Sequence, residues 1–540
     1  MKPTHVLRWI LCVTFCLAWP PAEAWSSTGQ DGRDSLRPIF DERFDLWPVQ
    51  LRSPGRVIVH CEVTNFEPHR NFLERLTKES RVCAFALATD PLLAEIEGLS
   101  KQETPVAQGH ELPQLKLALA GADTVYVSGA AFGTEEISGL ADEFRAFLGR
   151  GGNLIFDGDL GGMLGALPPA PSKTKSLALI PDCCIDCTFD GGESATKALV
   201  DHVSKSPRIL GIGVEPRAML VLRGRTLSVM GAGSMTALVP GNAAGPPITR
   251  KLTSARGRQR TNRIDLTQWR RMAIDQSVEP FPPAAPRTPL VEKGTLYIVG
   301  GGGTPRGLMS AMIEKAGGLE EAKLVYIPCA ESDDVDDRQG TVEMWKRMGV
   351  KHATFIHTKD RNQANTDEAI LGPLRDATML WFGGGRQWNF ADSYYGTKAH
   401  ELMKGVLHRG GVIGGSSAGA SIQGRFLARA TPIGNSSILA PGYERGGLGF
   451  LSGVAIDQHF SQRGRQKDMT QLVRKYPQLL GIGIDEATAI VVEESRATVL
   501  GNGKVYFYDA AADRKKGLPD YEALPAGSVY DLASRRTLDD

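Results

Sequence analysis

Gly415-Ser416-Ser417-Ala418-Gly419 sets a serine between two glycines, where strand-like Val412-Ile413 gives way to a helix-compatible run from Ala418 to Arg429. A turn of this G-x-S-x-G kind lifts one hydroxyl above a sheet, at the positive end of the helix that follows. A serine hydroxyl is a weak nucleophile at neutral pH. It needs a base within hydrogen-bond reach and a third group that orients the base. His352, His357, His400 and His408 precede the turn in helix-like or linker contexts. His459 differs, because it follows the strand-like Gly453-Val454-Ala455-Ile456 within Asp457-Gln458-His459-Phe460. Open α/β sheets place their active sites at such strand ends. Leu480-Gly481-Ile482-Gly483-Ile484 leads to two carboxylates, Asp485 and Glu486. They point to opposite sides if the strand persists, so one of them can face His459.

An internal duplication supplies a control. Asp123–Gly129 lies against Ala377–Gly383, Arg150–Ile155 against Arg409–Ile413, Ile185–Phe189 against Ile456–Phe460, and Leu210–Glu215 against Leu480–Asp485. The four matches keep one order and nearly equal spacing, so the chain reads as two copies of one α/β unit. In the first copy Asp159 falls about where Ser417 sits, Thr188 replaces His459 and Pro216 replaces Glu486, while Glu215 keeps an acid opposite Asp485. A structural role for the three groups would not predict their joint loss. The pattern points to a serine triad of Ser417, His459 and Glu486 in the second copy and to a catalytically dead first copy.

Acyl transfer also needs donors for a developing oxyanion. The amide of Ala418 is one, and the glycine run Gly383-Gly384-Gly385 after strand-like Met379–Phe382 can bring Gly384 and Gly385 amides close. Gln387 follows as a side chain able to bind substrate. Gly300-Gly301-Gly302-Gly303 invites a dinucleotide reading, but no G-x-G-x-x-G completes it and no acidic residue ends the next strand-like run. No nucleotide cofactor is expected. Cys183, Cys184 and Cys187 crowd together without the second cysteine pair or histidine cluster of a zinc site, so no metal is expected either.

These groups must be positioned by a large α/β scaffold. The chain has 540 residues, 42% of them apolar and 23% charged, with a net charge of +1. That length suits two or three domains, and the charge gives no sign of a nucleic-acid or membrane-surface partner. Lys2 and Arg8 precede the apolar run Trp9–Trp19, Pro20 and Pro21 break it, and Ala22-Glu23-Ala24 offers a cleavage site. Residues 1–24 therefore read as a secretory signal peptide, which implies a secreted or periplasmic protein with no membrane association after cleavage. Export permits disulfides among Cys61, Cys83, Cys183, Cys184, Cys187 and Cys329, with the pairing undetermined. Short β-rich runs alternate with helical patterns over residues 55–240, the signature of a parallel sheet covered on both faces. Residues 241–290 contain a basic stretch, Arg250 to Arg271, and the proline-rich Pro280–Pro286, and read as a Pro/Arg-rich linker whose arginines are solvated or partner-facing. The βα rhythm restarts in residues 291–540.

The second copy, from about Gly294 to Arg536, resembles the cyanophycinase family, serine peptidases of the dipeptidase E clan. The residues that carry the likeness are the glycine-rich first strand, Gly384-Gly385-Arg386-Gln387, Gly415–Ala420, Asp457–Arg465, Gly481–Ala489 and Pro525–Leu532. The resemblance implies a flavodoxin-like, class-I-glutamine-amidotransferase-like three-layer sandwich, and with the duplication the chain reads as two in tandem, the first a degenerate copy. It also implies a serine-type exopeptidase that hydrolyses cyanophycin, an arginylated poly-aspartate, to β-aspartyl-arginine dipeptides, here secreted by the signal-peptide reading. Gln387, Asp457, Gln458, Arg463 and Arg465 match the family's substrate pocket: the arginines would hold carboxylates through bidentate bonds and Asp457 would answer cationic groups. Two positions depart from the family pattern, Asp468 where a further arginine is usual and Arg386 where Asn or Asp is usual. The alternatives are a dipeptidase or isopeptidase on small aspartyl peptides, and a non-catalytic polymer-binding protein. Family members pair as dimers, so either a pseudo-dimer within the chain or a homodimer is expected.

Overall fold

In this computed structural model the described residues are 53–61, 70–77, 80–86, 106–108, 112–129, 134–171, 175–206, 208–242, 245–254, 262–331, 338–434, 437–512 and 519–538. The signal-peptide reading of residues 1–24 lies outside them. All fall within the compact unit Glu42–Asp540. Among them, no helix is long and apolar enough to cross a membrane.

The fold is mixed α/β, with two sheets in each half of the chain. In the first half, an eight-stranded sheet runs Val106–Gln108, Val82–Ala86, Thr124–Val127, Asn153–Asp157, Arg56–His60, Ala218–Arg223, Thr226–Gly231, Arg263–Asp265. In the second, a nine-stranded sheet runs His352–Phe355, Lys323–Ile327, Met379–Phe382, Val412–Ser416, Val291–Val299, Thr488–Glu494, Arg496–Gly501, Val529–Asp531, Arg536–Leu538. The first five strands of each are parallel to their neighbours and the rest antiparallel. The smaller sheets also correspond. Gly165–Leu167, Ile180–Asp186, Leu210–Val214, Ser234–Val239 and Ile248–Thr253 form one, and Gly424–Phe426, Leu451–Gln458, Leu480–Ile484, Lys504–Asp509 and Glu522–Pro525 the other.

Alternate strand residues feed separate cores, as the pleat requires. Leu296 and Ile298 join the core shared with the five-stranded sheet, whereas Tyr297 and Val299 pack under the helices Leu308–Lys315 and Arg338–Arg347. In the first half Val57 and Val59 face the inner core and Ile58 the outer one. The strands Leu210–Val214 and Leu480–Ile484 carry glycine at matching places so that a ring can lie flat on them. A Cβ on Gly213 would stand 2.5 Å from Phe189, and one on Gly483 2.5 Å from Phe460.

Register corrects the sequence alignment by one residue. His60 pairs with Asp157 and Val299 with Ser416, so Gly158, rather than Asp159, occupies the place of Ser417. Val127 pairs with Phe156 and Phe382 with Gly415, which likewise puts Gly129 at the place of Gly384.

The expected linker is also corrected. Ile248–Thr253 is an edge strand on Ser234–Val239, Arg263–Asp265 is an edge strand on Thr226–Ser228, and Leu266–Gln276 is a helix capped by Asp265, which accepts from the Gln268 amide at 2.8 Å. Leu266 through Ile274 are all buried. Two of its arginines were expected in solvent, but they are buried against acids: Arg270 on Asp182 at 2.5 Å and Arg271 on Asp392 at 2.6 Å. Basic composition signalled solvation only because the partner acids lie far away in sequence. Among the described residues of this stretch, the longest irregular run is 277–290.

Candidate active site

Ser417 sits between the strand Val412–Ser416 and the short helix Ala418–Ser421, with φ 57° and ψ −112°. A positive φ on a serine is strained, and such strain persists only where the surroundings enforce it. The enforcement is visible. The Ser417 amide donates to Val299 O at 3.0 Å. A Cβ on Gly415 would lie 2.7 Å from the Gly419 carbonyl carbon, and one on Gly419 2.7 Å from that of Phe382. Only glycines fit the crowded turn.

His459 follows the strand Leu451–Gln458 at φ 49° and donates its amide to Gly300 O at 2.8 Å. Its Nε2 accepts from Ser417 Oγ at 3.0 Å, and its Nδ1 donates to Glu486 Oε1 at 2.6 Å. Burial pulls the imidazole pKa below its ordinary value, and Arg463 and Arg465 add to this, while the hydrogen bond to Glu486 opposes it. The ring therefore stays neutral, as a proton acceptor must. Asp485 is turned away. It accepts from the Ser461 and Lys504 amides at 2.9 and 3.1 Å, fixing the loops on either side. The structure thus brings Ser417, His459 and Glu486 into one hydrogen-bonded chain.

The run Gly300–Gly303, read from sequence only as a rejected nucleotide loop, is part of this site. Gly301, Gly302 and Gly303 all have positive φ. A Cβ on Gly301 would lie 2.5 Å from His459 Nε2, and one on Gly302 2.5 Å from Glu486 Oε2. Gly301 O also accepts from the Ala487 amide at 2.8 Å. The loop is a cradle for the imidazole and carboxylate. Four consecutive glycines after a strand were the available signal, and a phosphate is only one of the things such a loop can approach.

Backbone at Gly384 approaches the serine: a Cβ there would stand 3.7 Å from Ser417 Cβ. Gly385, at φ +132°, turns so tightly that a Cβ would lie 2.7 Å from the Ala330 carbonyl carbon. Ala418 follows the serine directly at the start of its helix and is buried.

The expected pocket residues divide. Arg463 is exposed. Asp457, expected to answer a cationic ligand, is fully buried with its oxygens on Arg429 Nε at 2.8 Å and Arg465 Nη1 at 2.7 Å. Arg465, expected to hold a carboxylate, is 8% exposed and spent on Asp457 and Gln458 O. Gln387 is buried and donates to Ala428 O and Arg429 O at 3.0 and 2.8 Å. Gln458 is buried, and its Oε1 has no hydrogen-bond partner among the described residues. Asp468 pairs with Arg429 at 2.5 Å. Sequence spacing showed that these residues cluster; it could not show that acids and arginines neutralise one another beneath the surface.

A model of Peptidase family S51 matches residues 296–500. The chain is 30% identical to a cyanophycinase of Geminocystis herdmanii over 199 residues, which is 36% of this chain and 72% of that protein. It is 27% identical to a cyanophycinase of Trichormus variabilis over 252 residues, 46% of this chain and 84% of that one. A solved peptidase from an acI-B1 Actinobacterium aligns at 23% identity and TM-score 0.34, over 45% of this chain and 98% of that chain. With the family model and the Geminocystis protein matching the same half, the chain belongs to peptidase family S51 and is a serine-type peptidase of the cyanophycinase kind.

Proposed function

We propose that this protein is a secreted exopeptidase that hydrolyses a cyanophycin-like arginylated poly-aspartate to β-aspartyl-arginine dipeptides. Ser417 is the nucleophile, His459 the base and Glu486 the acid that fixes the ring. The observation that carries this reading is the continuous path of hydrogen bonds, 3.0 Å from Ser417 to His459 and 2.6 Å from His459 to Glu486.

The Ser417 Oγ attacks the scissile carbonyl while its proton passes to His459 Nε2. Glu486 stabilises the imidazolium that forms. The amides of Gly384, Gly385 and Ala418 receive the oxyanion. His459 then returns its proton to the leaving amine, and water repeats the sequence to free the acyl enzyme. Arg463 meets a substrate carboxylate and the Gln458 Oε1 accepts from a substrate N–H. Gln387, Asp457 and Arg465 hold the pocket floor from below. The two halves are tandem flavodoxin-like units forming a pseudo-dimer within the chain, the first without a catalytic role.

The test supplies purified full-length protein with cyanophycin, arginine-free polyaspartate and β-Asp-Arg in separate reactions and resolves the products. Dipeptide release from cyanophycin is expected, falling on the order of 10⁵–10⁶-fold in Ser417→Ala. Activity confined to small aspartyl dipeptides would replace the polymer reading with a dipeptidase. Turnover that survives Ser417→Ala would remove the mechanism.

A further inference from the structure

Two sulfurs in the first half are not used by this chemistry. Cys61 follows the strand Arg56–His60 of the eight-stranded sheet, and Cys187 follows the strand Ile180–Asp186 of the five-stranded sheet. Both are partly exposed free thiols, and Cys61 lies near enough to raise the Cys187 pKa. The short helix Gly158–Gly161 crosses the pair with glycine at its points of contact. A Cβ on Gly158 would stand 3.6 Å from Cys61 Cα and 4.0 Å from Cys187 Cβ, and one on Gly161 2.5 Å from the Cys187 sulfur. The sequence had drawn attention instead to Cys183, Cys184 and Cys187 as a group. Cys183 and Cys184 are adjacent on one strand, buried in opposite cores, and so are placed to meet neither each other nor solvent.

We infer that Cys61 and Cys187 are an oxidisable pair that closes to a disulfide tying the two sheets of the first half together. The Cys61 thiolate attacks one sulfur of a small-molecule disulfide and displaces one thiolate. Cys187 loses its proton and attacks the Cys61 sulfur of the mixed disulfide, displacing the second. Two protein S–H bonds are lost and one S–S bond is gained, and two electrons reduce the oxidant to two thiols. The neighbouring Cys61, burial, and the carboxylates of Asp186 and Asp157 hold the proton on Cys187. The closing step is therefore the slow one near neutrality and quickens as pH rises. A cross-link between such distant points in the chain restricts the unfolded state, so the oxidised form is the more stable.

The probe is oxidised glutathione. Full-length protein is incubated with it, denatured, alkylated without reduction, digested and mapped by mass spectrometry. The expected result is a single cross-linked peptide pair containing Cys61 and Cys187, lighter than the separate peptides by two hydrogens. Cys83, Cys183, Cys184 and Cys329 are expected to be alkylated. The wild type should also show an upward shift in Tm on oxidation that dithiothreitol reverses, and Cys61→Ser/Cys187→Ser should show none. Alkylation of both residues after oxidation, or either one joined to another cysteine, would overturn the inference.

Discussion

The two halves carry the same strand order and differ at the cleft. In the second half the strand Val412–Ser416 ends in a strained turn that presents Ser417 at φ 57°. In the first half Gly158, at the place of Ser417, has no positive φ, and before it, at the place of Ser416, stands Asp157, extended at φ −72° and ψ 174°. Its carboxylate caps the helix Gly158–Gly161 through the Leu160 amide at 3.0 Å and accepts from Ser128 Oγ and the Gly129 amide at 3.1 and 2.7 Å. Gly129 occupies the position of Gly384. The first half therefore fills, with its own anion, the amide that the second half is proposed to offer an oxyanion. With no serine to present at this turn the backbone carries no such strain, and an acid at the helix start satisfies the amides there. The histidine position follows suit: Thr188 folds back on Asp186 Oδ1 at 2.7 Å, with nothing left to relay a proton.

This contrast can be broken at several points. The largest effect is expected at the hydrogen-bonded trio that only the second half shows among the described residues. Glu486→Gln should lower kcat on the order of 10⁴-fold with the fold intact, since the ring loses its orienting charge. Steady-state kinetics beside circular dichroism checks it; a change under tenfold would return Glu486 to an ordinary loop residue. Next comes the seam. Asp392, buried on the helix Gln387–Tyr394, receives Arg225 at 2.7 Å and Arg271 at 2.6 Å from the first half, and Tyr443 Oη at 3.0 Å. Asp392→Asn removes the carboxylate that Arg225 and Arg271 share, leaving Arg225 on Asp265, and should cost about 3–5 kcal/mol in urea unfolding. A loss within error would mean that the halves are not joined through this network.

A sharper test imports the first half's acid. Ser416→Asp should place a carboxylate where the oxyanion donors point and cut kcat on the order of 10²–10³-fold, about the loss of one such donor. Unchanged kcat would show that these amides do not serve the reaction.

The smallest effect is in pH. His459 must be neutral to accept a proton, and burial and Arg463 hold its pKa below the ordinary 6.5. The acid limb of kcat/KM should therefore fall below that value. Arg463→Gln should move the limb upward and Glu486→Gln further down. A limb that ignores both substitutions would belong to another group.

The sequence made the hydrogen-bonded trio of Ser417, His459 and Glu486 legible because each follows a strand in an alternating apolar pattern, and because the first copy lacks all of them together. It also made the α/β rhythm legible through the paired runs Leu210–Val214 and Leu480–Ile484. What it hid was long-range neutralisation. Arg465 and Asp457 read as free charges because nothing local shows that they face each other. Arg271 read as solvated because its partner, Asp392, is in the other half. The glycine cradle at Gly301 and Gly302 was hidden for the same reason, since the groups that forbid a side chain there come from the loops after two later strands.

The helix Leu266–Gln276 has a consequence for how such a chain can change over generations. Gln268 donates to Pro441 O at 2.9 Å, and Gly442 is glycine where a Cβ would press on Met272 at 2.9 Å. A peptidase freed from its amino-terminal companion would bare this groove and strand the Asp392 carboxylate. Removing either half would thus uncover buried charge and packing on the other, so neither can be exchanged without rewriting both sides of the seam.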